Sequence, residues 1–257
     1  MSQKQVLFIG CSFTDDCGFT VENQSKYHWP HLFCQQTNYN MHNHAVGGMS
    51  NHEIFLRTTE LVACNSYDLV VVMWSAVGRH WTYCADHNVD DFTMLNSAVP
   101  KGLCADTPHV KKYAEMHYKW FDNRYIGTKH WLLYSLALAN FLKNLNVPYI
   151  FIKGFDNNIS GVLNATYDNN GFNNVDDLKL MLDFDNRPDE YILKKLNVLQ
   201  DLVYKQDTTH WLNLNKKSFW DSTVDVADDL SHPGIETNAA LAKSLIEFYK
   251  ESHVQSI

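Results

Sequence analysis

No apolar run in this sequence approaches the ~20 residues that a helix needs to cross a bilayer, so no helical membrane span is expected. Lys and Arg gather nowhere: their 21 positions are scattered against 29 Asp and Glu, for a formal net charge of −8. The basic stripe of a nucleic-acid or anionic-membrane binder is therefore missing, and a neutral or cationic partner is easier to accommodate. The six cysteines (Cys11, Cys17, Cys34, Cys64, Cys84 and Cys104) contain no Cys-x-x-Cys pair and follow no regular spacing. They read as reduced thiols, the default in a cytoplasm. Repeats, low-complexity tracts and linker-like boundaries are absent too, which leaves a single domain across residues 1–257.

What is present is a globular composition, 45% hydrophobic and 19% charged, with a generous 13% of aromatic residues. The opening apolar run, Val6 to Ile9, is too short for the core of a signal peptide and reads as a first buried strand; a cytoplasmic location is the expectation. Further strands are expected at Tyr39 to Ala45, Leu69 to Trp74 and Tyr149 to Lys153. Helical faces are expected over Asn51 to Ala63, Lys129 to Leu145, Pro188 to Tyr204 and Gly234 to Tyr249. Strands alternating with helices are the signature of βαβ units around a parallel sheet. Two stretches break the alternation: about 77–125, polar and aromatic-rich, and about 156–185, rich in Asn, Asp and Gly. Insertions of this length tend to be functional loops or lids.

An open parallel sheet binds its ligand beyond the carboxyl ends of its strands, so the loops there matter most. After the first strand comes Gly10-Cys11-Ser12-Phe13-Thr14, a tight turn that presents a serine. After the second comes Asn43 through Asn51, in which Gly47 and Gly48 let the backbone approach a bound atom and offer an N–H to a developing oxyanion. Asp229-Leu230-Ser231-His232-Pro233 precedes the last helix. An Asp and a His three apart on a turn can hydrogen-bond, leaving the other imidazole nitrogen to face a nucleophile.

These three segments resemble the blocks of the SGNH (GDSL-like) hydrolase family, in the family's order. The first is similar to its GDSx[ST] block, with Cys11 in place of the usual Asp. The second is similar to the block whose glycine N–H is an oxyanion donor, mapping to Gly48. The last matches DxxHP in full. The resemblance implies a three-layer α/β/α sandwich of flavodoxin-like type with a parallel sheet of five strands. It also implies a serine hydrolase with Ser12 as nucleophile, His232 as base and Asp229 orienting the base, and with the N–H groups of Ser12 and Gly48 in the oxyanion hole. The third block departs from the family: where an Asn would follow the third strand stands Val72 through Arg79, with no Asn. Ser75 donates there, or Arg79 does, or the donor is missing.

Other readings of the same residues compete. Asp229 and Ser231 suit helix capping as well as catalysis, and Cys11 is a second candidate nucleophile. His42, His44 and His52 have spacing that suits a metal, without a carboxylate or cysteine placed to complete the shell, so no metal or cofactor is expected. Arg79 fits a substrate clamp or a structural ion pair. Of the aromatics Trp74, Trp81, Tyr83, Tyr118, Trp120, Phe121, Tyr125 and Trp131, most belong to packing and one or two to an acyl or sugar pocket. The expected activity is hydrolysis of carboxylic esters, first of all short-acyl, O-acetyl esters of small molecules or glycans. The alternative is a non-catalytic, glycan-binding or structural protein of the same fold.

Overall fold

A computed structural model describes residues 3–15, 25–83, 92–96, 99–102, 108–117, 124–155, 188–214, 218–227, 229–230 and 232–254. Strands β1 (Gln5–Ile9) and β3 (Leu69–Trp74) form where the apolar runs predict them, and β2 (Asn40–Asn43), which is not an apolar run, forms within the expected Tyr39 to Ala45. Three further strands, β4 (Arg79–Tyr83), β5 (Phe92–Asn96) and β6 (Val99–Gly102), precede β7 (Tyr149–Lys153). The helices are α1 (Trp29–Thr37), α2 (Asn51–Cys64), α3 (Pro108–Met116), α4 (Arg124–Asn144), α5 (Asp189–Tyr204) and α6 (Ile235–Val254). Among the described residues no helix is long and apolar enough to cross a membrane.

The main sheet is parallel, in the order β2-β1-β3-β7. Every residue from Val6 to Ile9 and from Leu69 to Trp74 is fully buried, which explains why both strands read as unbroken apolar runs rather than as an alternation. The chain steps outward from β1 to β2, then back across β1 to β3 and on to β7. Right-handed crossovers therefore lay α1 on one face and α2 and α4 on the other. Packing agrees: α1 lies on α6, α2 on α4, and α4 on α5. This is the expected α/β class, with three layers.

Beyond β7 the expected fifth strand is a broken edge. Trp211 makes a single parallel bridge to Phe151, and Leu212 N–H donates to the Phe151 carbonyl. Further along, Phe219 N–H donates to the Lys153 carbonyl and Trp220 N–H to that of Gly154. The described sheet thus has four continuous strands.

Within the first insertion the described residues are ordered secondary structure. β4, β5 and β6 form an antiparallel sheet, followed by α3. The second insertion lies outside the described residues, as do Tyr118, Trp120 and Phe121. Trp74, Tyr125 and Trp131 are core residues. Helix α1 was not expected from periodicity; its nine residues start at Trp29-Pro30 and bury only Trp29, Pro30 and Phe33.

Candidate active site

The strand order reverses between β1 and β3, the crevice where doubly wound sheets hold their ligands. Ser12 stands at that crevice. Its turn is closed by Thr14 N–H and Asp15 N–H, both donating to the Cys11 carbonyl at 2.8 and 3.0 Å. Ser12 is 8% exposed, whereas Cys11 is wholly buried in the hydrophobic core. Long-range bonds pin the turn from α1. The Phe13 carbonyl accepts from Trp29 Nε1 at 2.7 Å, and His28 Nε2 lies 3.2 Å from it.

The loop after β2 is laced to the same turn. Asn43 Nδ2 donates to the Thr14 carbonyl at 2.7 Å, Val46 N–H to the Gly10 carbonyl at 3.2 Å, and Gly47 N–H to Asp15 Oδ2 at 3.0 Å. Gly48 follows at φ 80°, a conformation that a side chain disfavours, and this explains the glycine. Helix α2 then begins at an N-cap Ser50, whose Oγ accepts from Glu53 N–H.

Asn51, nearly fully buried, ties that helix to the end of β3 with both ends of its amide. Nδ2 donates to the Ser75 carbonyl at 3.0 Å, and Oδ1 accepts from Ser75 N–H at 2.7 Å. Ser75, fully buried, accepts at Oγ from Arg79 Nη1 at 2.9 Å. The Arg79 guanidinium lies 4.7 Å over the Phe155 ring. The ion pair expected as one reading of Arg79 is not found: among the described residues no carboxylate pairs with it.

The two candidate roles of Asp229 are separated by Asp225. Asp225 caps α6, its Oδ1 accepting from Thr237 N–H at 2.8 Å and its Oδ2 from Glu236 N–H at 2.9 Å. Asp229 instead accepts from His232: Oδ1 from the backbone N–H at 3.0 Å, Oδ2 from Nδ1–H. Leu230 adopts φ 58° to bend the turn between them. The His232 ring meets Phe13 edge-on, 5.9 Å between centroids, which sets the imidazole beside the turn that carries Ser12.

Phe13 also stacks on Phe155 at 4.4 Å and on Trp220 at 5.5 Å, nearly parallel, with Phe219 edge-on at 5.8 Å. This aromatic column joins three distant segments, and sequence reasoning missed it, along with Asn51 and Asp225. Trp220 is 40% exposed. A cavity of about 410 Å³ between the broken edge and α6 shares Phe219 with the column and Thr237 with the Asp225 cap, but none of Ser12, Ser75, Arg79, Asp229 or His232. Of the three histidines with metal-like spacing, His42 hydrogen-bonds Gln5 Oε1 and His52 lies 3.9 Å from Glu53. Among the described residues no three His, Cys, Asp or Glu side chains gather to hold a metal ion.

No protein-family model and no curated protein matches the chain. Among solved structures it is similar to a Desulfitobacterium hafniense DCB-2 protein described as lipolytic and of the G-D-S-L family (10% identity, 96% of this chain and 99% of that one, TM-score 0.46). It is also similar to the psychrotrophic esterase EstA from Pseudoalteromonas sp. (10% identity, 97% and 98%, TM-score 0.45). A third is the acetylxylan esterase Axe2 from Geobacillus stearothermophilus (12% identity, 96% and 94%, TM-score 0.43).

Proposed function

We propose that this chain is a serine esterase of the SGNH type, cleaving short-acyl, O-acetyl esters on carbohydrate through an acyl-enzyme on Ser12. The observation that carries the reading is the Asp229–His232 pair. With Asp225 already capping α6, Asp229 is committed to imidazole Nδ1, and that imidazole lies against the residue next to Ser12.

In this scheme His232 Nε2 takes the Ser12 proton as Oγ attacks the ester carbonyl, and Asp229 holds the tautomer and stabilises the imidazolium. The N–H groups of Ser12 and Gly48 stabilise the tetrahedral oxyanion. Ser75 O–H is the third donor, replacing the amide expected from the family: a hydroxyl that accepts from a guanidinium is polarised and becomes a stronger donor. Asn51 fixes the backbone beneath it. The imidazolium then protonates the leaving alcohol, and water repeats the attack on the acyl-enzyme. The scheme calls on no cofactor. The exposed Trp220 face, stacked on Phe13, supports a sugar-facing wall.

A fluorophosphonate probe is expected to label the folded wild-type protein near neutral pH and to leave Ser12→Ala unlabelled. Failure to label the wild type overturns the esterase reading. A series of acyl-chain lengths and acetylated glycans then sets the substrate.

A further inference from the structure

Arg79 is a half-buried guanidinium with a single hydrogen bond. It presents five N–H donors. One goes to Ser75 Oγ, the guanidinium lies over the Phe155 ring, and among the described residues nothing else engages it. The acidic side chains around the crevice are committed elsewhere: Asp15 to Gly47 N–H, Asp225 to α6, Asp229 to His232. A guanidinium partly withdrawn from water with most of its fork unused is a ready receptor for a planar anion, because carboxylates match that fork two oxygens at a time.

Its position makes this a matter of substrate choice. Phe155, on which the guanidinium lies, is stacked on Phe13, the neighbour of Ser12. A group that reaches the unused donors therefore lies along the aromatic column, close to an ester held at Ser12. The net charge of −8 does not oppose it, since exposed charges beyond ~8 Å are largely screened at physiological salt whereas a contact pair is not.

We propose that Arg79 selects esters that carry a carboxylate on their alcohol portion, so that the substrates are O-acetyl esters of acidic compounds such as sugar acids. This rests on the esterase reading above. The guanidinium then does two things with one charge: Nη1 polarises Ser75, and the free edge holds the substrate's anion.

The test compares 4-acetoxybenzoate with its methyl ester, which differ in that carboxylate. The ratio of their kcat/KM values cancels whatever Arg79 contributes to the common chemistry. Arg79→Gln is expected to lower the ratio by ~10-fold or more, mainly through KM for the acid, and Arg79→Lys to keep part of it. Ser75→Ala is expected to slow both esters with the ratio kept. A ratio unchanged in Arg79→Gln overturns the proposal while leaving the esterase reading in place.

If the wild type cleaves neither ester, the fluorophosphonate probe decides the esterase reading and binding to the Ser12→Ala protein decides the anion site. Tighter binding of 4-acetoxybenzoate than of its methyl ester, abolished by adding Arg79→Gln, supports it; equal binding overturns it.

Discussion

Asp225 and Asp229 lie four residues apart and do different work, although either suits the start of a helix. Asp225 satisfies two backbone N–H groups of α6, and a side chain on Gly234 would strike its carboxylate, since a Cβ there would sit 2.4 Å from Oδ2. Losing such a cap costs about 1 kcal/mol, so Asp225→Ala is expected to lower the thermal midpoint by a few degrees, with kcat per folded molecule little changed. Asp229→Asn is expected to do the reverse: a fold that melts as the wild type does, and turnover of an aryl acetate reduced by ~10²- to 10⁴-fold, because an amide no longer holds His232 in the required tautomer. Paired melting and kinetic measurements separate the two. Turnover of Asp229→Asn equal to wild type removes Asp229 from the triad.

At the scale of elements, the junction that makes the crevice is the clasp between the N-terminus of α2 and the end of β3. Asn51 makes two bonds there in a buried setting, and truncation leaves the Ser75 N–H and carbonyl to find other partners. Asn51→Ala is expected to destabilise by roughly 1–3 kcal/mol in urea melts and to lower kcat more than it changes KM. Little of this clasp was legible in the sequence, where Asn51 reads like any polar residue at a helix start. The strands β1 and β3 were legible because burial on both faces leaves no polar position. Ser12, Gly48, Asp229 and His232 were legible as candidates because each sits in a short segment whose residue types suit acyl transfer. The column of Phe13, Phe155 and Trp220 was not, since sheet order rather than any local pattern brings positions 13, 155 and 220 together. The fifth strand also left no pattern, because its pairing with β7 is interrupted between Leu212 and Phe219.

Across the whole molecule, histidines set the response to acid. His80 on β4 stacks on His117 at 4.4 Å, has the Tyr113 hydroxyl 3.4 Å from Nε2, and feels His52 of α2. Burial first, then those two histidines, hold its imidazole down to about 4 from an ordinary 6.5. His44 and His130 shift the same way, burial again leading, followed by Arg57 and His42 for His44 and by Lys129 and His52 for His130. In the unfolded chain such groups take a proton near pH ~6.5, while in the fold they resist it. Between the two values the unfolded state binds more protons, so this stability is full above pH ~6.5 and is lost as pH falls toward about 4 for His80. Carboxylates act lower. Burial disfavours the Asp207 charge, but hydrogen bonds from Lys143 and Thr209 outweigh it and bring the group down to about 2 from 3.8, so its contribution persists until pH falls through that lower range. The urea midpoint is therefore expected to fall in two stages, one between pH 6.5 and 4 and a second below it. His80→Asn removes one contributor to the first stage, and the loss between pH 7 and 4.5 is expected to shrink relative to wild type, by on the order of 1 kcal/mol once solvent screening of this half-buried ring is allowed for. A variant that loses stability over that range as steeply as the wild type refutes the assignment to His80.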